Sequence, residues 1–155
     1  VVRVKGVTQS FGGRVIFHDL SFAVNAGEVF VILGGSGCGK STLLRQVIGL
    51  LPPSAGGIEV LGHDMYRGRG DVLHRIGVMF QSGALFGSMT LLENVMLPLE
   101  MFTDLPASAR AFVARMKLGL VGLGDATALL PAEISGGMAK RAAIARALAL
   151  DPPLL

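Results

Sequence analysis

Gly34-Gly35-Ser36-Gly37-Cys38-Gly39-Lys40-Ser41 fits the pattern G-x-x-x-x-G-K-[ST] in full. It follows the continuous apolar run Val29-Phe30-Val31-Ile32-Leu33 and precedes a segment with helical apolar spacing: Leu43, Leu44, Val47, Ile48 and Leu51. Pro52-Pro53 ends that segment. A short, largely β-branched run bounded by turn residues predicts a strand buried on both faces of a parallel sheet. Strand, glycine loop and helix in that order form the context in which the pattern binds phosphate. Glycines let consecutive N–H groups turn inward into an anion nest with no Cβ in the way. The helix starting near Ser41 adds its positive end and unpaired amides. Lys40 then serves the β- and γ-phosphates as a point charge, and Ser41 offers a hydroxyl to Mg²⁺. The phosphate-binding candidates are Gly34, Gly35, Ser36, Gly37, Cys38, Gly39, Lys40, Ser41 and Thr42.

The rest of the chain reads as an α/β protein. Val2, Val4 and Val7, then Leu20, Phe22 and Val24, alternate with polar partners and predict two strands, closed by the turn Asn25-Ala26-Gly27. Ile58 to Leu61 and Ile76 to Phe80 read as further strands, the second of them buried. Thr90 and Glu93 have the spacing of a capping box that opens a helix, and Ser108 to Leu118 also favours helix. A last helix runs from about Gly136 to Leu150, and Asp151-Pro152-Pro153-Leu154-Leu155 looks like the start of another buried strand. Because the chain begins with Val1 and stops there, an N-terminal fragment is expected.

Composition narrows the partners. Of 155 residues, 51% are apolar and 16% charged, which excludes a disordered chain. A net charge of +3, scattered along the sequence, predicts no nucleic-acid partner. One cysteine excludes an internal disulfide and fits a reducing compartment. The longest stretch without Asp, Glu, Lys or Arg, Ile76 to Leu92, carries Gln81, two serines, Thr90 and three glycines and is no transmembrane helix. His18, His63 and His74 lack metal-ligand spacing, and Cys38 has no second Cys or nearby His. Arg67, Arg69, Lys140, Arg141 and Arg146 read as a solvated basic face, with contact to phosphate as the alternative.

A second anion site stands about a hundred residues after the first. In Ile134-Ser135-Gly136-Gly137-Met138-Ala139-Lys140-Arg141, Ser135 is a natural N-cap and two glycines expose the first amides of the helix. With the glycine loop, the strand ending at Gln81 and this Ser-Gly-Gly helix in order, the chain resembles an ABC-type ATPase subunit along essentially its whole length. The resemblance implies a P-loop NTPase sheet core, residues 1–86 and 135–155, with an inserted helical subdomain, 87–134, C-terminally truncated. It implies ATP and Mg²⁺ as ligands, and a homodimer. Gln81 would touch Mg²⁺ and the attacking water, while Ser135, Gly136 and Gly137 would bind the γ-phosphate held by the opposite subunit. Phe11 in Gln9-Ser10-Phe11-Gly12-Gly13 matches the aromatic that stacks on adenine, with a merely packed phenylalanine as the alternative.

Phe80-Gln81-Ser82-Gly83-Ala84-Leu85-Phe86, Glu93-Asn94-Val95, Met116-Lys117-Leu118 and Pro131 to Arg141, with Met138 in the signature, are most similar to the Mla-type branch. That likeness implies phospholipid movement between inner and outer membranes, with a permease homodimer and a periplasmic lipid-binding subunit as partners. The expected location is peripheral, on the cytoplasmic side of the inner membrane. Ala84, Leu85 and Phe86, with Met89, are expected to dock the permease, or else to pin the insertion to the core. The chain stops before the Asp-Glu pair of the family, so binding without hydrolysis is expected. The alternatives are an importer of another substrate, a non-transport ABC ATPase on ribosomes or DNA, a soluble P-loop kinase or GTPase, and an inert truncated product. A kinase or GTPase would need neither Gln81 nor Ser135-Gly136-Gly137.

Overall fold

A computed structural model describes the 155-residue chain except residues 68–71 and 82. Arg69 and Ser82, singled out in the sequence, lie outside the described residues. The chain divides into two compact units, Val1–Leu73 and His74–Leu155.

The first unit holds an antiparallel sheet and one helix. Strands β1 (Val2–Phe11), β2 (Arg14–Val24), β3 (Ala55–Val60) and β4 (His63–Asp64) lie in the order β2-β1-β3-β4. Strict alternation along β1 would put Val2 and Val4 on one face and Val7 and Gln9 on the other. All four are buried. The register shifts between Val4 and Val7, where Gly6 has φ 57°, so one irregular step flips the parity and sends both pairs inward. Ile58 and Val60 of β3 complete that buried face. Helix α1 (Lys40–Val47) buries Leu43 and Gln46. It stops before the expected Leu51, and the Tyr66 hydroxyl lies 2.6 Å from the Gln46 carbonyl in its last turn.

The run Val29–Leu33 corrects the expectation of a buried parallel strand. It joins no ladder, Val29 is 93% and Leu33 87% exposed, and Phe30 stacks on Phe22 at 4.9 Å. A parallel strand is stable only between hydrogen-bonding neighbours. Among the described residues the run pairs with no strand of this unit, and the outer edge of β2 stays open.

The second unit is helical: α2 (Leu91–Phe102), α3 (Ala107–Leu120) and α4 (Gly136–Ala147). The predicted capping box opens α2. The Glu93 N–H donates to Thr90 Oγ1 at 3.2 Å and the Thr90 N–H donates to Glu93 Oε2 at 2.7 Å. Leu91, Val95 and Leu99, four residues apart, point from α2 onto Ala114 and Leu118 of α3 and Ala142, Ala145 and Ala149 of α4 and its end. Alanine on the α4 side lets the helix backbone approach closely while still removing apolar surface from water. Buried Lys117 of α3 donates to the Asp151 carboxylate just past α4. The expected strand Ile76–Phe80 is reduced to one parallel bridge, Ile76 with Leu154, in which the Gly77 N–H donates to the Leu154 carbonyl at 2.8 Å. No further pairing stabilises it among the described residues. No helix among them is long and apolar enough to cross a membrane.

Candidate functional site

In the first unit, Gly39 is the N-cap of α1 with φ 99° and ψ 5°, and no side chain caps the helix. Among the described residues, the Lys40, Ser41 and Thr42 N–H groups have no acceptor, so the first turn presents open donors. Only glycine serves at 39. A Cβ there would stand 2.7 Å from Ile16 Cγ2 and 2.8 Å from Phe17 Cδ1, which presses the end of the loop against β2. The half-buried Lys40 reaches back across the loop, its ammonium donating to the Gly34 carbonyl at 2.6 Å and the Gly35 carbonyl at 2.7 Å. Cys38 Sγ lies 3.7 Å from the same nitrogen. The Ser41 hydroxyl is exposed, without a protein partner among the described residues. Open amides, a cation held at the loop mouth and a free hydroxyl are the donor set that an oxyanion and its counter-cation require. Phe11, 49% exposed, ends β1 opposite Arg14, beside the Gly12-Gly13 turn.

In the second unit, Gln81 is exposed in a turn closed by the Gly83 N–H donating to the Phe80 carbonyl at 2.8 Å. Its side chain carries no hydrogen bond to the described residues and is free for a ligand. Gly83 is buried, with φ 75°, and a Cβ there would meet Ala143 Cβ at 3.4 Å and the Ala139 carbonyl at 3.5 Å. Helix α4 is capped by Ser135, whose Oγ accepts the Met138 N–H at 3.2 Å, and Ser135, Gly136 and Gly137 are all exposed. The Gln81 turn and the Ser135-capped helix are therefore packed together.

Asn94, which had no assigned role in the sequence reading, and Arg146 hold this region. Asn94, fully buried, accepts the Phe86 N–H at 2.8 Å through Oδ1. Its Nδ2 lies 3.1 Å from the Phe86 carbonyl and 3.0 Å from each of the Met89 and Thr90 carbonyls. The signal for Asn94 was a polar residue inside the apolar stripe Leu91, Val95, Leu99, a position that must find partners. Arg146 donates to the Ala84 and Gly83 carbonyls at 2.8 and 3.0 Å. Arg141 donates to the Val121 carbonyl at 2.8 Å. Half-buried Arg146 corrects the reading of a solvated basic face, its guanidinium serving as a backbone clasp, whereas Arg141 is exposed as expected and also holds backbone. Burial lowers the pKa of Arg146. Leu85 packs on the helical core, whereas Phe86 is 51% exposed.

A glycine loop opening a helix, with its lysine drawn across the loop, defines a chain of the P-loop class within an α/β fold. The chain belongs to the ABC transporter family, whose model matches residues 17–155. It is 47% identical, over 99% of its length and 46% of the relative, to the probable ribonucleotide transport ATP-binding protein mkl of Mycobacterium leprae. It is 44% identical to the intermembrane phospholipid transport system ATP-binding protein MlaF of Haemophilus influenzae, over 100% of this chain and 60% of that one. It thus spans about half the length of the curated relatives it matches. Among solved structures, the ATP-binding cassette MJ0796 in a dimeric post-hydrolysis state with ADP and Pi superposes with a TM-score of 0.89 at 30% identity. That match covers 98% of this chain and 71% of the cassette. The expected fold class and family are shown by these matches.

Proposed function

We propose that this chain is the ATP-binding part of an ABC transporter subunit that powers phospholipid movement between the inner and outer membranes. The observation that carries the nucleotide reading is the Lys40 ammonium at the mouth of a loop whose helix lacks a side-chain cap. Lys40 exchanges its two carbonyl partners for β- and γ-phosphate oxygens, and the amides from Gly37 to Ser41 donate to the same phosphates. Ser41 and Gln81 would hold Mg²⁺, which supplies positive charge against the terminal phosphates. Phe11 stacks on adenine. Ser135, Gly136 and Gly137 meet the γ-phosphate bound by a second copy. Residues 1–86 and 135–155 act as the nucleotide-binding core and 87–134 as the helical subdomain. The partners are a second ATPase subunit, a permease docked after Gln81 and a periplasmic lipid-binding subunit, with the chain peripheral on the cytoplasmic side of the inner membrane. Identity to MlaF across the whole chain and the dimeric state of the MJ0796 cassette support this reading. The mkl relative, named for ribonucleotide transport, favours a second reading with the same site and another cargo.

Calorimetry of the full-length protein with MgATP tests the nucleotide site. Lys40→Ala should weaken binding at least tenfold, and equal affinity would remove the proposal. Cargo is tested with the reconstituted complex. Stimulation of ATP hydrolysis by phospholipid but not by ribonucleotide supports the lipid reading, and the reverse supports the second.

A further inference from the structure

We propose that Arg146 is a positioning residue that locks the Gln81 turn to the helix capped by Ser135, so that the two present themselves to nucleotide as one rigid piece. The inference rests on the proposed role of Gln81 at the nucleotide and deepens it. Arg146 lies near the far end of α4 from Ser135, yet its two guanidinium nitrogens reach the carbonyls of two consecutive residues, Ala84 and Gly83. Both residues are left-handed, with φ 50° at Ala84 and φ 75° at Gly83. That conformation is unfavourable for an alanine and persists only where surrounding contacts over-determine it. Here the contacts come from one planar fork, which donates to two carbonyls at fixed spacing as no ammonium can.

The same helix supplies the floor. Gly83 rests against Ala139 and Ala143, so positions 139, 143 and 146 of α4 form one continuous strip beneath the turn. The Gly83 N–H closes the turn on the Phe80 carbonyl, which places Gln81 inside the segment that the fork and floor immobilise. On the far side, Asn94 holds Phe86 by both its N–H and its carbonyl. The segment is thus held at 83–84 from α4 and at 86 from α2. The first of these clamps joins it by hydrogen bonds to the helix that begins with Ser135. Loss of the fork leaves the turn held on α4 only through packing of Gly83 and Leu85 and so loosens Gln81 relative to Ser135, Gly136 and Gly137, while the phosphate loop keeps its own contacts.

Steady-state ATP hydrolysis, with hydrogen exchange on the same full-length samples, compares wild type with Arg146→Met, Arg146→Lys, Gln81→Ala and the Gln81→Ala/Arg146→Met double variant. Arg146→Met should lower kcat at least tenfold with KM for ATP within twofold. Exchange at residues 83–86 should rise while residues 139–145 stay protected, a split that general loss of stability would not produce. Arg146→Lys, able to reach one carbonyl, should recover part of kcat. The double variant should be no worse than Gln81→Ala within about threefold, because Arg146 acts through the Gln81 turn. Wild-type kcat in Arg146→Met overturns the proposal when Gln81→Ala is impaired, and so does a fall that multiplies fully with that of Gln81→Ala. If Gln81→Ala itself hydrolyses ATP normally, the proposed role of Gln81 fails, and with it the function assigned to the lock.

Discussion

The Gln46 side chain donates through Nε2 to Gln9 Oε1 at 2.6 Å, and both side chains are buried. The bond ties the helix that starts with Lys40 to the strand that ends with Phe11. Replacing one partner, as in Gln46→Leu, leaves the Gln9 carbonyl oxygen buried without its donor. The expected cost is about 1–3 kcal/mol, read by denaturant unfolding. Changing both to leucine should cost less than the sum of the single changes, because each single change strands the other buried amide and the double change strands neither. Simple additivity would mean that the two side chains do not act as a pair.

Gly39→Ala should injure both stability and nucleotide binding. The added methyl carbon would meet Ile16 and Phe17 at 2.7–2.8 Å, and φ 99° is strained for any side chain. Relief requires the loop to lift from β2, at a cost of about 1–3 kcal/mol. A variant that melts and binds MgATP like wild type would show that the loop is not pressed on the strand.

Leu85 and Phe86 should part company although they are neighbours in sequence. Leu85 packs on the core of α2, α3 and α4, so Leu85→Asp should destabilise the full-length protein by about 3 kcal/mol or more. Phe86 is half exposed and its backbone is held by Asn94, so Phe86→Asp should change stability by less than about 1 kcal/mol. Under the proposed docking, Phe86→Asp also loses the permease on co-purification. A Phe86→Asp protein that melts far below wild type would retire the docking role in favour of a packing one.

Acid should loosen the start of α2. The Thr90 N–H and hydroxyl donate to the Glu93 carboxylate and hold its pKa below the ordinary 4.5. A lowered carboxylate pKa contributes stability that is fully present above the unfolded value and lost as pH falls through the folded one. Glu93→Gln should therefore flatten the pH dependence of unfolding in that window and leave it unchanged near neutrality. An unaltered acid slope would show that the carboxylate is not the group responsible.

Local spacing made part of this protein legible from its residues. The glycines and Lys40 of the loop, the Thr90–Glu93 capping box and the Ser135 cap each involve groups within six positions of one another, where backbone geometry leaves few alternatives. The valines of β1 were readable as strand, but the irregular step near Gly6 that turns Val7 inward depends on pairing with β2 and β3. The apolar run Val29–Leu33 shows the limit from the other side: hydrophobicity and β-branching can favour a strand, but only a hydrogen-bonded neighbour makes one. Arg146 and Ala84 are 62 positions apart, and Arg146 looks from the sequence like any exposed cation on an alanine-rich helix. That the guanidinium clasps the Gln81 turn was decided by tertiary packing, since closure of so long a segment is fixed by the core of three helices and not by any propensity of the residues that meet.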